Sequence, residues 1–278
     1  MFSFSEVYGK AIPLTVIDVG AAAIPNESDA YAALSKDPEV SVIGFEPDQA
    51  ACEARNAEAA PNHKFFPCFV GDGASRTFYN CQNPLTSSLY PPNEELLSLF
   101  QHMVLPVVGH SEVRTVRLDD LDDLNDCDFL KLDVQGAELD VMRGAEHVLS
   151  HAVVVHTEVE FIPIYRNQPL FGDVDVELRK HGFWFHKFIK PFSRLFQPLM
   201  FNNMFSPGSQ LVYAEAAVYV RDFTRLDNLD VGKLLRMARI LHDVYGSFDL
   251  ACVVLAAYDR KRSESLLPRY LERLTTSG

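Results

Sequence analysis

The chain has 278 residues, 47% of them hydrophobic, and its 38 Asp+Glu against 25 Lys+Arg give a formal net charge of −13. The apolar fraction excludes intrinsic disorder, and 14 Gly and 16 Pro exclude a collagen-like or low-complexity sequence. The acidic balance argues against nucleic acid as a partner, because phosphate backbones are bound by basic surfaces.

Short apolar runs alternate with helix-like segments over most of the chain. Strands are predicted over residues 14–19, 40–45, 65–70, 128–134, 152–159, 182–189 and 211–220, with extended segments at 77–80 and 113–118. Helices are predicted over residues 48–59, 138–149 and 174–181, and a helix-like stretch follows the first strand through Leu34. Near-continuous apolar strands separated by helices predict an α/β fold with a doubly wound, mostly parallel, seven-stranded sheet.

The last part of the chain has a different pattern. Residues 229–245, 247–258 and 263–274 are predicted to form three helices with no strand between them. We therefore predict a domain over residues 1–225 followed by a C-terminal helical extension over residues 226–278. These helices are also candidate contacts of a homodimer.

The cysteines and the apolar runs indicate the cellular compartment in which the protein is expected. The five cysteines are odd in number and contain no CxxC pair, which indicates reduced thiols in a cytoplasmic protein. No run reaches the roughly 18 apolar residues that a transmembrane helix needs, and the N-terminal residues lack the pattern of a signal peptide. We therefore expect a cytoplasmic protein without a transmembrane segment.

Acidic residues and a glycine follow the predicted strands, at the sheet edge where doubly wound folds bind ligands. Asp18 and Gly20 end the first strand, and Glu46 follows the second. Asp72 follows the third strand, and Asp133 ends the fourth parallel strand. We expect Glu46 to accept hydrogen bonds from ribose hydroxyls and Asp72 to accept one from an adenine amino group. The remaining three residues are expected to surround a cationic amino-acid tail, with the glycine allowing close approach.

A dinucleotide cofactor is the less favoured alternative. Its GxGxxG fingerprint places glycines around a pyrophosphate, but residues 21–24, which follow Gly20, are Ala-Ala-Ala-Ile. A diphosphate would also meet two nearby carboxylates. S-adenosylmethionine (SAM) has no phosphate and carries a sulfonium and an ammonium group, so the acidic pattern favours SAM.

The string DFLKLDVQGAELDVMRGAEHVL, followed by VVHTEVEFIPIYRNQPLF, resembles the signature of the FkbM-type family of SAM-dependent methyltransferases, which are class I, Rossmann-like enzymes. The resemblance covers about residues 14–222. It implies methyl transfer, usually to a hydroxyl of a sugar or a secondary-metabolite acceptor. It also adds Ala21, in the first motif, and Ser88, in a Ser-Ser-Leu string, to the candidate cofactor-binding residues. Two departures from the family pattern are Gln135, where Glu is usual, and residues 22–25, which replace Asn-x-Gly.

Methyl transfer to a hydroxyl needs in-line positioning and a general base or a metal ion. The predicted strand over residues 152–159 places His156, Glu158 and Glu160 on one face. The candidate catalytic residues are therefore Glu158, Asp133 and His156, with Glu158 favoured as the carboxylate on the acceptor side. Asp133 with Glu158 is also a candidate Mg²⁺ site, since Mg²⁺ prefers carboxylate and water ligands. The sequence leaves open whether Glu158 acts as a base or as a metal ligand.

Residues 187–210 contain five phenylalanines and form a predicted long loop. Such a loop is either a lid over the acceptor or an insertion packed against the C-terminal helices, and packing is slightly favoured. A further alternative for the whole chain is a non-catalytic partner-binding protein that keeps a methyltransferase-like fold.

Overall fold

The computed structural model describes residues 2–24, 26–122, 124, 126–201 and 207–276. The strands among these residues are β1 (Leu14–Val19), β2 (Val40–Phe45), β3 (His63–Phe66), β4 (Ser75–Cys81), β5 (Val107–Arg114), β6 (Phe129–Leu132), β7 (Val154–Glu160), β8 (Phe183–Arg194) and β9 (Gln210–Arg221). The α-helices are α1 (Phe4–Tyr8), α2 (Gln49–Glu58), α3 (Glu94–Leu97), α4 (Glu138–Arg143), α5 (Glu146–His151), α6 (Phe171–Lys180), α7 (Val231–Asp243), α8 (Phe248–Arg262) and α9 (Leu266–Thr276).

Seven of these strands form one sheet in the order β3-β2-β1-β6-β7-β9-β8. β9 runs antiparallel to both of its neighbours, and the other pairs are parallel. The predicted doubly wound, mostly parallel, seven-stranded fold is confirmed. The strand order reverses between β1 and β6, so the carboxyl ends of these two strands mark the place where such a sheet binds ligands.

Both faces of the sheet are covered, which explains why its central strands are apolar at nearly every position. Successive side chains of a strand point to opposite faces. Val16 accordingly lies in a core with residues of α1, α7, α8 and α9, whereas Ile17 lies in a second core with residues of α4, α5 and α6. β1 and β6 therefore lie in the middle of a three-layer structure, between the two cores.

The C-terminal helices pack directly on the sheet. Leu234 and Leu241 of α7 and Val254 of α8 share a core with Val16 and Val154 of the central strands. Three α-helices without an intervening strand follow β9, as expected. The boundary at residue 225 and the homodimer through these helices remain predictions. Among the described residues, no helix has the length and apolar character needed to cross a membrane.

Several local expectations were wrong. Residues 30–37 form turns in place of the expected helix, because Asn, Ser and Asp before them favour turn hydrogen bonds. The helix expected over residues 138–149 is split at Gly144, where an added Cβ would lie 2.2 Å from the Gly71 carbonyl oxygen. The first third of the expected aromatic loop, residues 187–194, is strand, since β8 extends to Arg194. The extended segment expected at 77–80, by contrast, is confirmed as part of β4, which pairs with β5 in a separate antiparallel sheet.

The buried Arg239 of α7 ties the C-terminal helices to the N-terminal part of the chain. Its guanidinium donates hydrogen bonds to the Ile12 carbonyl oxygen at 2.7 Å, to Asp37 at 2.7 Å and to Asp243 at 3.4 Å. We expect Arg239→Met to lower the free energy of unfolding by about 3–5 kcal/mol, because it leaves the largely buried Asp243 and the half-buried Asp37 without their partner. Urea unfolding measures the loss. The exposed Arg269→Met is the matched control, and equal midpoints for the two variants would contradict the prediction.

Candidate functional site

A cavity of about 980 Å³ lies at the carboxyl ends of β1, β2 and β6. It is lined by residues 18–20, 45–48 and 133–135, which follow these strands, and by residues 68–70 after β3. Binding sites for small molecules and cofactors are typically about 300–1,000 Å³. The cavity is therefore large enough for a nucleoside cofactor together with part of an acceptor.

Gly20 shapes the floor of this cavity. Its φ is +81°, and an added Cβ would lie 1.8 Å from the Asp133 carbonyl oxygen. Its backbone N–H donates to the Phe45 carbonyl oxygen at 3.0 Å. Only glycine combines this left-handed backbone with so close an approach, so this residue brings the ends of β1, β2 and β6 together.

Lys131, in the middle of β6, connects the acidic residues of the cavity floor. Its ammonium nitrogen lies 2.6 Å from the Gly20 carbonyl oxygen, 3.0 Å from Asp18 Oδ1 and 3.7 Å from Asp133 Oδ2. The Tyr31 hydroxyl donates to Asp18 Oδ2 at 2.8 Å. Burial raises the pKa of Asp18, and the nearby lysine ammonium opposes this shift.

Sequence reasoning missed Lys131 and Tyr31. The lysine had a detectable signal, because a charged side chain inside the apolar string FLKL needs an acidic partner. Tyr31 had none, since its contact with Asp18 depends on how the chain turns after β1.

Glu46 lies where the sequence predicted a ribose-binding carboxylate. It is buried, lines the cavity, and accepts a hydrogen bond from the Asp48 backbone N–H at 2.9 Å. Asp48 in turn caps α2 by accepting from the Ala51 backbone N–H. Burial raises the pKa of Glu46. The carboxylate is therefore held by the start of α2 with its second oxygen available to the cavity.

Three of the predicted cofactor-binding residues do not line the cavity. Asp72 pairs with Arg76 and accepts from the Ala74 backbone N–H at 3.0 Å, because the Gly-Asp-Gly segment folds back on β4. Ser88 is buried and donates to the Gln135 carbonyl oxygen at 2.6 Å, so it supports the loop after β6. Ala21 is buried in the core beside the cavity.

Gln135 joins the two carboxylates that the sequence proposed for catalysis. Its side-chain amide donates to Glu158 Oε2 at 2.6 Å and to Asp133 Oδ1 at 3.1 Å. The Tyr165 hydroxyl lies 3.1 Å from the amide oxygen of Gln135 and 2.9 Å from the Thr86 carbonyl oxygen. The Gln135 backbone has a φ of +55°. The amide thus holds Glu158 and Asp133 at fixed positions on either side of it.

Further carboxylates are buried close to Glu158. Burial, together with the negative charges of Asp133 and Glu160, raises the pKa of Glu158 well above its ordinary value. Burial likewise raises the pKa of Glu160. Glu138 accepts from the backbone N–H groups of Val134 at 2.8 Å and Gly136 at 3.3 Å, and burial raises its pKa to about 7. Glu138 therefore stabilises the backbone of the loop after β6 by accepting hydrogen bonds from two of its N–H groups.

His156 lines the cavity next to Lys131 but is largely buried. Its Nδ1 lies 3.0 Å from the hydroxyl of Tyr245, which follows α7. Burial and the positive charge of Lys131 lower the pKa of His156 to about 3. The imidazole is therefore neutral near pH 7, and its low basicity makes it a weak proton acceptor.

The donor set does not fit the Mg²⁺ site that the sequence suggested. In the part of the chain that the structure describes, no group of three or more His, Cys, Asp or Glu side chains could hold a metal ion. Between Asp133 and Glu158 lies the amide of Gln135, which donates to both. The amide satisfies these two carboxylates in the way that a cation otherwise would.

The described residues of the aromatic loop are not part of the cavity lining, although the Lys190 ammonium lies 2.8 Å from Glu215, which lines the cavity. The Phe196 ring lies 4.6 Å from the Phe100 ring, and the Gln101 side chain donates to the Phe201 carbonyl oxygen at 2.6 Å. Residues 196–201 thus pack on the segment after α3. The start of the loop has the packing that the sequence favoured, because the Lys187 ammonium donates to the Tyr245 carbonyl oxygen at 2.7 Å and Ile189 packs against the core that contains α7, α8 and α9. Phe205 lies outside the described residues.

Comparisons with known proteins identify relatives of the chain. Residues 18–185, more than half of the chain, match the family model described as Methyltransferase FkbM domain. A search of curated proteins finds the 2-O-methyltransferase NoeI of Sinorhizobium fredii, which is 28% identical over 175 residues, covering 58% of this chain and 70% of that protein.

Two solved structures of the N-terminal domain of EvdMO1 are also similar, one with S-adenosylhomocysteine (SAH) bound and one in the presence of SAH and D-fucose. Each is 11% identical at a TM-score of 0.36 and covers 78% of this chain. This chain covers 77% and 79% of the two structures. The family assignment therefore depends on the match of residues 18–185.

The buried carboxylates near Glu158 predict how stability depends on pH. A carboxyl whose pKa is raised in the folded state contributes stability below its unfolded pKa and loses it as the pH rises through the folded value. Stability should therefore fall as the pH rises from about 4.5, by at most about 1.4 kcal/mol per pH unit for each group. Glu160→Gln mimics the protonated form, so its melting temperature should decline less between pH 5 and pH 8. The exposed Glu94→Gln is the control, and equal slopes for all three proteins would contradict the prediction.

Proposed function

Because the chain belongs to the FkbM methyltransferase family, we propose that it transfers a methyl group from SAM to a hydroxyl of a sugar or a secondary-metabolite acceptor. The observation that carries this proposal is the cavity at the switch point, where a tight glycine turn meets carboxylates from three strands. SAM is a cation at its sulfur atom and carries no phosphate. An acidic cavity without a glycine-rich phosphate loop suits SAM better than it suits a dinucleotide.

The cavity offers a distinct group to each part of the cofactor. Glu46, at the end of β2, is positioned to accept hydrogen bonds from the ribose hydroxyls. Residues 68–70 line the cavity after β3 and replace Asp72 as the neighbours proposed for adenine. The absence of a side chain at Gly20 leaves room for the methionine part beside Asp133.

Glu158 is the group that we assign to the acceptor hydroxyl. When bound, SAM supplies a methyl group that the sulfonium charge has already activated. The acceptor oxygen bonds to the methyl carbon as the carbon–sulfur bond breaks, the electron pair goes to sulfur, and the hydroxyl proton goes to the Glu158 carboxylate. The raised pKa of Glu158 makes its ionised form a strong base. Gln135, which donates to Glu158 at 2.6 Å, positions this carboxylate.

A hydroxyl acceptor has one further support. The similarity to a 2-O-methyltransferase favours oxygen as the methylated atom, and the volume of the cavity leaves room for a sugar-sized molecule beside the cofactor. The site needs no metal ion in this proposal, because the base, its positioning amide and the activated methyl group complete the chemistry.

Replacing Glu46 tests the cofactor assignment. We expect Glu46→Gln to weaken SAH binding about 10- to 100-fold, because a hydrogen bond to a charged group is worth about 1.5–3 kcal/mol. Isothermal titration calorimetry at neutral pH measures the affinity. Asp72→Asn is the matched control, since this carboxylate lies outside the cavity lining and should leave the affinity unchanged.

Two outcomes of this titration would reject the proposed function. One is a wild-type protein that binds no SAH. The other is a wild-type protein that binds NAD more tightly than SAH, which would favour the dinucleotide alternative.

Replacing Glu158 tests the assigned base. We expect Glu158→Gln to lower the turnover number about 10²- to 10⁴-fold, as for the loss of a general base, while SAH affinity stays within about threefold. Methyl transfer from radiolabelled SAM to a panel of methyl glycosides of hexoses and deoxyhexoses measures turnover. The wild-type rate should rise with pH as Glu158 ionises, because its pKa is raised.

The exposed Glu146→Gln is the control for this variant. An unchanged rate in Glu158→Gln would remove Glu158 from the reaction. SAH binding without transfer to any acceptor of the panel would favour the non-catalytic alternative.

A further inference from the structure

We propose that Lys131 and Asp133 form a receptor for the zwitterionic end of the cofactor, with Lys131 binding the α-carboxylate and Asp133 the α-ammonium group. This inference rests on the proposed function and names the contacts of the methionine part. The two acidic residues expected around this part, Asp18 and Asp133, lie on either side of the Lys131 ammonium.

Asp18 is not available to the ligand. Its side chain is only 2% exposed, one carboxylate oxygen accepts from Tyr31 at 2.8 Å, and the other lies 3.0 Å from the Lys131 ammonium. Asp133 is different, because its side chain is 31% exposed and lines the cavity. The carboxylate accessible to an incoming ammonium group is therefore that of Asp133. Asp18 holds the Lys131 ammonium in position through their ion pair.

Lys131 has one donor to spare. Its ammonium group makes two close contacts, with the Gly20 carbonyl oxygen at 2.6 Å and with Asp18 at 3.0 Å. The third contact, with Asp133, is 3.7 Å long, which is beyond a good hydrogen bond. The side chain is 13% exposed and lines the cavity. Its third N–H can therefore turn to a ligand carboxylate without loss of the two close contacts.

Lys131 and Asp133 present a positive and a negative charge next to each other, and the two charges of an amino-acid group are complementary to them. An α-carbon carries its ammonium and its carboxylate side by side, so the ammonium can bond to Asp133 while the carboxylate bonds to Lys131. Binding exchanges one long ion pair for two direct, charge-assisted hydrogen bonds. It also leaves the net charge of the buried site unchanged, which avoids the cost of burying an unpaired ion.

Arg55 is the competing cation in the cavity lining. Its Nη2 lies 3.1 Å from Asp29 and 3.0 Å from the Tyr31 hydroxyl, and its guanidinium stacks 4.5 Å above the Phe65 ring. It is thus held against the segment after β1 and against β3, whereas Lys131 lies beside Gly20 and Asp133. The position of Lys131 favours it as the partner of the carboxylate.

Three ligands distinguish the contact of Lys131 with the carboxylate from the contact of Asp133 with the ammonium group. SAH has both charged groups, decarboxylated SAH keeps only the ammonium group, and 5′-methylthioadenosine has neither. We expect Lys131→Met to weaken SAH at least about tenfold, the loss of one charge-assisted hydrogen bond, and to leave the other two ligands within about twofold. Asp133→Asn should weaken SAH and decarboxylated SAH, and should leave 5′-methylthioadenosine unchanged. Calorimetry on the full chain measures all nine affinities, with the wild type as reference.

The structural role of Lys131 requires a second variant, because Lys131→Met leaves buried Asp18 without its cation. Asp18→Asn/Lys131→Met removes both charges together and should show the same ligand pattern. A variant that loses all three ligands equally would show a structural role only and would overturn the proposal. Unchanged SAH affinity in both lysine variants, or a carboxylate-specific loss in Arg55→Gln instead, would also overturn it. A wild type that binds none of the ligands would instead reject the proposed function.

Discussion

The site depends on the contacts that the Lys131 ammonium group makes with the residues around it. It lies at the switch point of the sheet and reaches the Gly20 carbonyl oxygen at 2.6 Å, Asp18 at 3.0 Å and Asp133 at 3.7 Å. Burying two carboxylates near each other costs free energy, and the positive charge between them offsets this cost. Because one lysine balances two carboxylates, the floor of the cavity retains a negative charge. A cationic ligand therefore completes the charge balance of a site that the sheet has already assembled.

Part of the acidic composition of the chain is concentrated around the cavity. Glu46 and Asp133, at the ends of β2 and β6, line the proposed cofactor cavity, and Glu158 of β7 lies next to it through its contact with the cavity-lining Gln135. The two groups meet at Gln135, whose amide contacts Asp133 on one side and Glu158 on the other. An amide in this place holds both carboxylates with hydrogen bonds alone. A single side chain thus contacts both the carboxylate proposed for the cofactor and the carboxylate proposed for proton removal.

The sequence was most informative where burial alone determines structure. β1 and β2 begin and end as predicted, because apolar runs buried on both faces have clear limits. Glu46 and Asp133 were placed correctly in the cavity, since the carboxyl ends of parallel strands meet at one edge. Asp72 was not, because its pairing with Arg76 depends on the β4 hairpin. Tyr31 and Gln135 act through partners distant in sequence, and a local pattern contains no record of such contacts.

A crystal structure of the chain with SAH tests the central claim most directly. The account predicts SAH in the cavity at the ends of β1, β2 and β6, with its ribose hydroxyls on Glu46 and its sulfur between Gly20 and Glu158. SAH bound elsewhere on the protein, or oriented with its ribose away from Glu46, would contradict the account.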